Sequence, residues 1–311
     1  MRILQNTTYD FWGIRKTGFI VSGVLLGLAL VMLITPGLQA GVDFKGGTEM
    51  VVRTATPVDL TEVRQVLTPA LGEDTEVKLY GSSRDLLVRT PETGDIAQIS
   101  ARTTETLASS FAGSNPTIGD SYSISPRFSG DLYRGAFYSV LGGLLVVMLY
   151  VLARYDWRYG LGAILTMAHD VVVVLGIFAL LNAVTPISFT ITQTIIAALL
   201  TIVGYSVNDT VVVFDRIRET EGLYRTESFE KLANRAINAT LSRTIITGVS
   251  TVIALVVLLI FGGEELRGFA LALLIGIVLG TYSSIFVSTP IVVLLRQRFP
   301  VRKRAAVAAA R

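Results

Sequence analysis

Residues 203–219, VGYSVNDTVVVFDRIRE, put an amide and a carboxylate, Asn208 and Asp209, inside a segment that is otherwise nearly free of charge from residue 187 to residue 214. A run of that length and composition reads as a membrane-spanning helix. An ionisable group at such depth costs roughly 2.5–3.5 kcal/mol on insertion scales, so it faces a protein interior or a wet cavity. Asp209 therefore needs a partner or a proton, and that need fixes both the fold class and the place to look for function.

Arg243 supplies a partner of the right sign. It opens the next apolar run, about four residues inside a helix expected to start near Ala239. Asp209 lies about six residues inside the matching end of its own helix, because Asp215, Arg216 and Arg218 mark where that helix leaves the lipid. At about 1.5 Å per residue both groups fall roughly 6–9 Å below one face of the bilayer, and antiparallel neighbours would bring them together. Burial disfavours a charged aspartate and a nearby arginine favours it. A rearrangement that parts the two would load or unload a proton, whereas a static ion pair fixing helix register is the alternative. Tyr205 and Thr247 stand four residues from Asp209 and Arg243 and share their faces. Either hydroxyl could relay a proton, and a threonine could equally bond its own backbone. His169 and Asp170 fall near the middle of the third span, about 15 Å from one end. They fit a proton path or a hydrogen-bonded packing contact, and Asp215 is a further candidate at the helix exit.

The chain has 311 residues, 51% hydrophobic and 16% charged, a balance that suits several bilayer spans with a modest polar portion. With no cysteine, neither disulfides nor thiolate metal sites are available, and the single histidine, His169, excludes the usual two-histidine metal clusters. No GxxxxGK[ST] sequence occurs, so energy must come from a gradient or a partner. No enzymatic activity, metal or cofactor is expected.

Arg15 and Lys16 precede a first span over residues 18–38, too long for a signal-peptide core. Residues 41–130 are polar and alternating. Strands are expected at 47–54, 76–80, 85–90 and near 117–124, with helices from Thr56-Pro57 to about Ala70 and over 95–112. The order βαββαβ indicates a small α+β, ferredoxin-like domain inserted between helices 1 and 2. Further spans are expected at 132–153, 159–183, 187–214, 239–261 and 266–295, giving a polytopic α-helical membrane protein of six transmembrane helices. A loop over 215–238 and a basic tail over 296–311 complete it. Gly276 and Gly280 form a GxxxG pair followed by Thr281, Tyr282, Ser283 and Ser284, which reads as close helix packing. Gly46 and Gly47, after Asp43, read as a hinge between span and domain.

The short loops set the orientation. Arg15, Lys16, Arg154, Arg158, Arg216, Arg218, Arg225, Lys231, Arg235, Arg296, Arg298, Arg302, Lys303 and Arg304 all fall on one side of a six-span chain, while the opposite short loops carry only Arg267. Both termini, with residues 1–17 at the front, are then cytoplasmic and the inserted domain is outside. The basic tail contacts anionic lipid or fixes topology, and nucleic acid is not expected as a partner.

Several stretches resemble the signatures of the SecF family: GVDFKGGT at 41–48, YSVNDTVVVFDRIRE at 205–219, LSRTIITG at 241–248, FGG at 261–263 and GTYSSIF at 280–286. The resemblance spans essentially the whole chain. At 124–130, ISPRFSG departs from a VGPxVG-like turn, keeping the proline and one glycine. It implies half of an RND-type transporter in the bacterial cytoplasmic (inner) membrane. Implied partners are SecD, as a heterodimer, the SecYEG channel, YajC and the translocating preprotein, with protons as the coupling ion. In that family the NDT carboxylate and SRT arginine are implicated in proton passage, which maps onto Asp209 and Arg243, with Asn208 beside the first and Thr247 four residues after the second. Motion would pass through Gly46-Gly47 to the outer domain. A small-molecule efflux half-transporter and a non-transporting scaffold for SecD are the alternatives.

Overall fold

Charged helix-formers such as those in DRIRET do not stop a helix when it leaves lipid, and this governs much of the architecture. The computed structural model describes residues 7–187 and 189–300; residues 1–6 and 301–311, with the basic Arg302, Lys303 and Arg304, lie outside the described residues. The elements run α1 (Arg15–Ile34), α2 (Val42–Lys45), β1 (Gly47–Arg53), α3 (Leu60–Leu71), β2 (Glu76–Tyr80), β3 (Ser82–Thr90), α4 (Ile96–Ser110), β4 (Thr117–Ile124) and α5 (Pro126–Arg154), then α6 (Trp157–Val184), α7 (Gln193–Leu223), α8 (Phe229–Phe261), α9 (Gly263–Ser283), a π-turn (Ser284–Ser288) and α10 (Thr289–Arg298). Among the described residues, six helical stretches are long and apolar enough to cross a membrane, the last formed by α9, the π-turn and α10 together.

The inserted domain is a four-stranded antiparallel sheet of order β2-β3-β1-β4 with two helices on one face. The alternation of a strand turns Met50, Val52, Val77, Leu86 and Val88 to that face. There they meet Val63, Leu67 and Leu71 of α3 and Ile99 and Leu107 of α4, spaced to fall on one helical stripe. α3 begins later than Thr56-Pro57 suggests, because the Asp59 carboxylate caps it by accepting from the Thr61 and Glu62 amides at 2.7 and 3.2 Å.

The spans differ from the sequence reading at their ends. α5 starts at Pro126, not near 132: Ser125 caps it, and proline sits where its missing N–H is not needed. At the expected start of the fourth span, the described residues 187 and 189–192 are not helical, and α7 begins at Gln193. α7 and α8 run into the expected 215–238 loop, leaving only 224–228 between them. The sixth span is interrupted, since Ser284–Ser288 take π-helical geometry just before Pro290. A proline cannot donate to the preceding turn, and one-turn π segments commonly accommodate such gaps. α7 lies closely against α9: a Cβ on Gly276 would stand 2.4 Å from Ile202, and one on Gly280 3.2 Å from Ser206. α1 packs on α6 where Gly176 meets Ala29.

Candidate functional site

The longer helices place the intramembrane charges well inside the bundle along its axis. At about 1.5 Å per residue, Asp209 lies about 20 Å from the Leu223 end of α7, Arg243 about 20 Å from the Phe229 end of α8, and Asp170 about 20 Å from the Trp157 end of α6. These ends lie on one side of an alternating bundle, so all three share one level. Asp209 and Arg243 are thus level with each other, as the sequence reading requires, and the distances from the helix ends include the turns that run on past the lipid.

The partners also differ. Asp209 Oδ1 accepts from Thr244 Oγ1 of α8 at 2.7 Å, and Oδ2 accepts from Ser284 Oγ of the π-turn at 2.6 Å. Among the described residues no ion pair joins Asp209 to Arg243, whose charge acts on it only through space. The reason is rotational. Thr244 and Arg243 are neighbours on α8, so they point about 100° apart, and Thr244 faces α7. Arg243 is exposed, as are Asn208 and Thr247, while Asp209 and Tyr205 are half-buried. The Tyr205 hydroxyl reaches the α8 backbone beside Gly248, 4.0 Å from where a Cβ would stand.

A second carboxyl lies at the same level. Asp170 Oδ2 accepts from Ser206 Oγ of α7 at 2.7 Å and from Ser283 Oγ at the end of α9 at 2.8 Å, and its Oδ1 is 2.9 Å from Nδ1 of His169. Asp170 is 1% exposed, and Ser206 and Ser283 are equally sealed. His169 Nε2 is buried with no hydrogen-bond partner among the described residues. Adjacent serines of one helix therefore serve two acids, Ser283 reaching α6 and Ser284 reaching α7.

Sequence reasoning treated Ser283 and Ser284 as packing residues and passed over Ser206 and Thr244. One signal could have found them: Ser206 precedes Asp209 by three residues, Thr244 follows Arg243, and buried acids need donors. Asp215 is exposed within α7 and forms a 3.4 Å ion pair with Arg154 at the end of α5, apart from this cluster. Asp43, Gly46 and Gly47 lie at the domain junction. Gly46 and Gly47 are buried with φ of 77° and 122°, and added Cβ atoms would stand 3.0 Å from Pro126 Cα and 2.4 Å from Thr90 O. Their positive φ and close surroundings form a corner that only glycine fits.

Two family models match: "Protein export membrane protein SecD/SecF, C-terminal" over residues 103–298, and "SecD/SecF GG Motif" over residues 31–58. The chain is 51% identical over 308 residues to the protein translocase subunit SecF of Rhodothermus marinus, covering 99% of this chain and 100% of that one. It is 36% identical over 288 residues to the SecF of Pseudomonas aeruginosa, covering 93% and 92%. Among solved structures it resembles SecDF, a translocon-associated membrane protein from Thermus thermophilus, with a TM-score of 0.84 and 36% identity over 96% of this chain. The present chain spans 40% of that longer one.

Proposed function

Because the chain belongs to the SecD/SecF family of protein export membrane proteins, as a SecF subunit, we propose that it pairs with SecD and uses the proton gradient to assist preprotein translocation through SecYEG, with YajC as a further contact. It is a multi-pass membrane protein. In this reading it lies in the bacterial cytoplasmic membrane, with the basic loops and both termini inside and the inserted domain outside.

The observation that carries the proposal is a carboxyl inside the spanning helices held only by neutral hydroxyls, beside an open polar face. Thr244 and Ser284 satisfy the oxygens of Asp209 but bring no positive charge. A carboxylate there needs either a proton or a cation to be neutral. Arg243 is one residue away on α8, so a turn of α8 by one position would exchange Thr244 for Arg243 at Asp209. Asp209 thus alternates between a protonated state and one compensated by Arg243, and the exchange moves α8 against α7. Exposed Arg243, Asn208 and Thr247 at this depth would be costly against lipid, which supports helices of SecD covering that face.

Reconstituted export tests this. In proteoliposomes holding the channel, the partner and a proton gradient, Asp209→Asn and Arg243→Met should each remove the gradient-dependent part of translocation and leave the remainder. Full gradient dependence in both variants would end the proton-path assignment.

A further inference from the structure

Between α6 and α7, residues 185–187 and 189–192 are held from both sides. On one side the edge strand β2 extends into it: the Leu79 amide donates to Pro186 O at 3.0 Å, and Leu79 and Ile187 form a parallel β-bridge. Lys78 Nζ adds two bonds to the end of α6, to Asn182 O at 2.9 Å and Asn182 Oδ1 at 2.6 Å. The same Oδ1 accepts from the Phe189 amide at 3.1 Å, so Asn182 folds the loop and receives the lysine at once. On the other side the segment after α1 pairs with it: Gly41 N donates to Ile191 O at 2.9 Å and Ile191 N donates to Gln39 O at 2.8 Å. Asp43 Oδ2 then accepts from the Gln193 amide at 2.9 Å, capping α7 from outside. Burial of the Lys78 amine within this contact holds its pKa below the usual lysine value.

These ties join the inserted domain to the outer ends of the two helices that carry Asp170 and Asp209. The glycine corner beside them lies close against Pro126 and Thr90. We infer that the α6–α7 loop is the joint through which the intramembrane site drives the inserted domain, with Lys78 and Asp43 as its positioning residues, so that domain and loop travel as one body. This rests on the proton-driven reading above. A displacement of α6 or α7 is then delivered to β2 through Asn182 and to the domain entrance through Asp43, with no flexing at Gly46-Gly47.

The chain has no cysteine, which makes a cross-link clean. Bridged strands lie about 4.8 Å apart, within disulfide range, so Leu79→Cys with Ile187→Cys should close a bond across the joint. The full chain is reconstituted with a cysteine-free SecD and the channel, and gradient-dependent export and proton uptake into the vesicles are both measured. The oxidised protein should export as well as the reduced one. Lys78→Met combined with Asp43→Ala should take up protons normally while gradient-dependent export falls about tenfold. Asp43→Asn, whose amide oxygen still accepts from Gln193, should retain export. Loss of export on oxidation, regained on reduction, would show that the domain must leave the loop and would overturn the inference. So would wild-type export by the Lys78→Met, Asp43→Ala protein. Asp209→Asn in the same vesicles reports separately on the site: if it keeps gradient-dependent export, the proton-path reading fails, whereas the cross-link still decides whether domain and loop move together.

Discussion

Asp170 and Asp209 sit at one depth and draw on neighbouring serines of one helix, yet their surroundings differ. Asp170 is sealed between α6, α7 and α9, with Ser206, Ser283 and His169 around its oxygens. Asp209 has two hydroxyl partners, stays half-buried, and borders the exposed Asn208, Arg243 and Thr247. In the function proposed above, the sealed carboxyl, tied to α7 and α9 by serine hydroxyls, is the one that holds helices in register. One with an open flank and an arginine a single helical position away can change its charge. In that proposal burial alone does not mark the working acid; the difference in access does.

The widest gap between the two should come from removing each acid. Asp209→Asn should abolish gradient-dependent export with little loss of thermal stability. Asp170→Leu leaves two buried hydroxyls and an imidazole without their acceptor and should cost about 3–5 kcal/mol, read as a lowered melting transition of the purified chain. Were the outcomes exchanged, with Asp170 controlling coupling and Asp209 controlling stability, the comparison would be inverted. The serines give a finer division. Each hydroxyl bonded to a charged acceptor is worth about 1.5–3 kcal/mol. Ser283→Ala should spend that on stability, and Ser284→Ala should instead shift the pH dependence of export; equal behaviour of the two would erase the distinction.

The depth-setting contacts between α7 and α9 come next. Gly276→Ala puts a methyl 2.4 Å from Ile202 and should destabilise by about 1–3 kcal/mol. Gly204→Ala meets nothing within 4 Å on the open flank and should leave the isolated chain as stable or slightly more so, as thermal melts would record. The smallest effect concerns the joint outside the membrane. Lys78 has its pKa lowered from 10.5, chiefly by burial, with Arg89 and Arg64 adding to this and Glu76 opposing it. A lysine with a lower pKa when docked binds fewer protons docked than free, so docking should tighten as pH rises through the interval below 10.5. Energy transfer between labels on the domain and the loop should show this slope, and Lys78→Met should flatten it.

Much of this was legible in the residues. The period-two pattern of residues 47–54 and the capped helices yielded the inserted sandwich, and uninterrupted apolar runs yielded the spans. The ends of the spans were not legible, because DRIRET and the residues after Ser228 are good helix formers whether or not they touch lipid. Ile187, Phe189 and Ile191 misled for a different reason: Phe189 and Ile191 pack on the bundle core from a non-helical segment, and Ile187 bridges Leu79 of the inserted domain. Asp209 stood out because an acid in an apolar run is costly. Its partners did not, since pairing by opposite charge selects Arg243, whereas rotation about the α8 axis turns Thr244 inward. Ser283 and Ser284 became readable only once the π-turn set them against two different helices.

Isotope-edited infrared difference spectroscopy of the carboxyl groups, recorded on the reconstituted complex with and without a proton gradient, bears most directly on the central contrast. A protonated-carboxyl band that appears and disappears with the gradient, is lost in Asp209→Asn and persists in Asp170→Asn, is the predicted result. A band unmoved by the gradient, or one that follows Asp170 instead, would contradict the account.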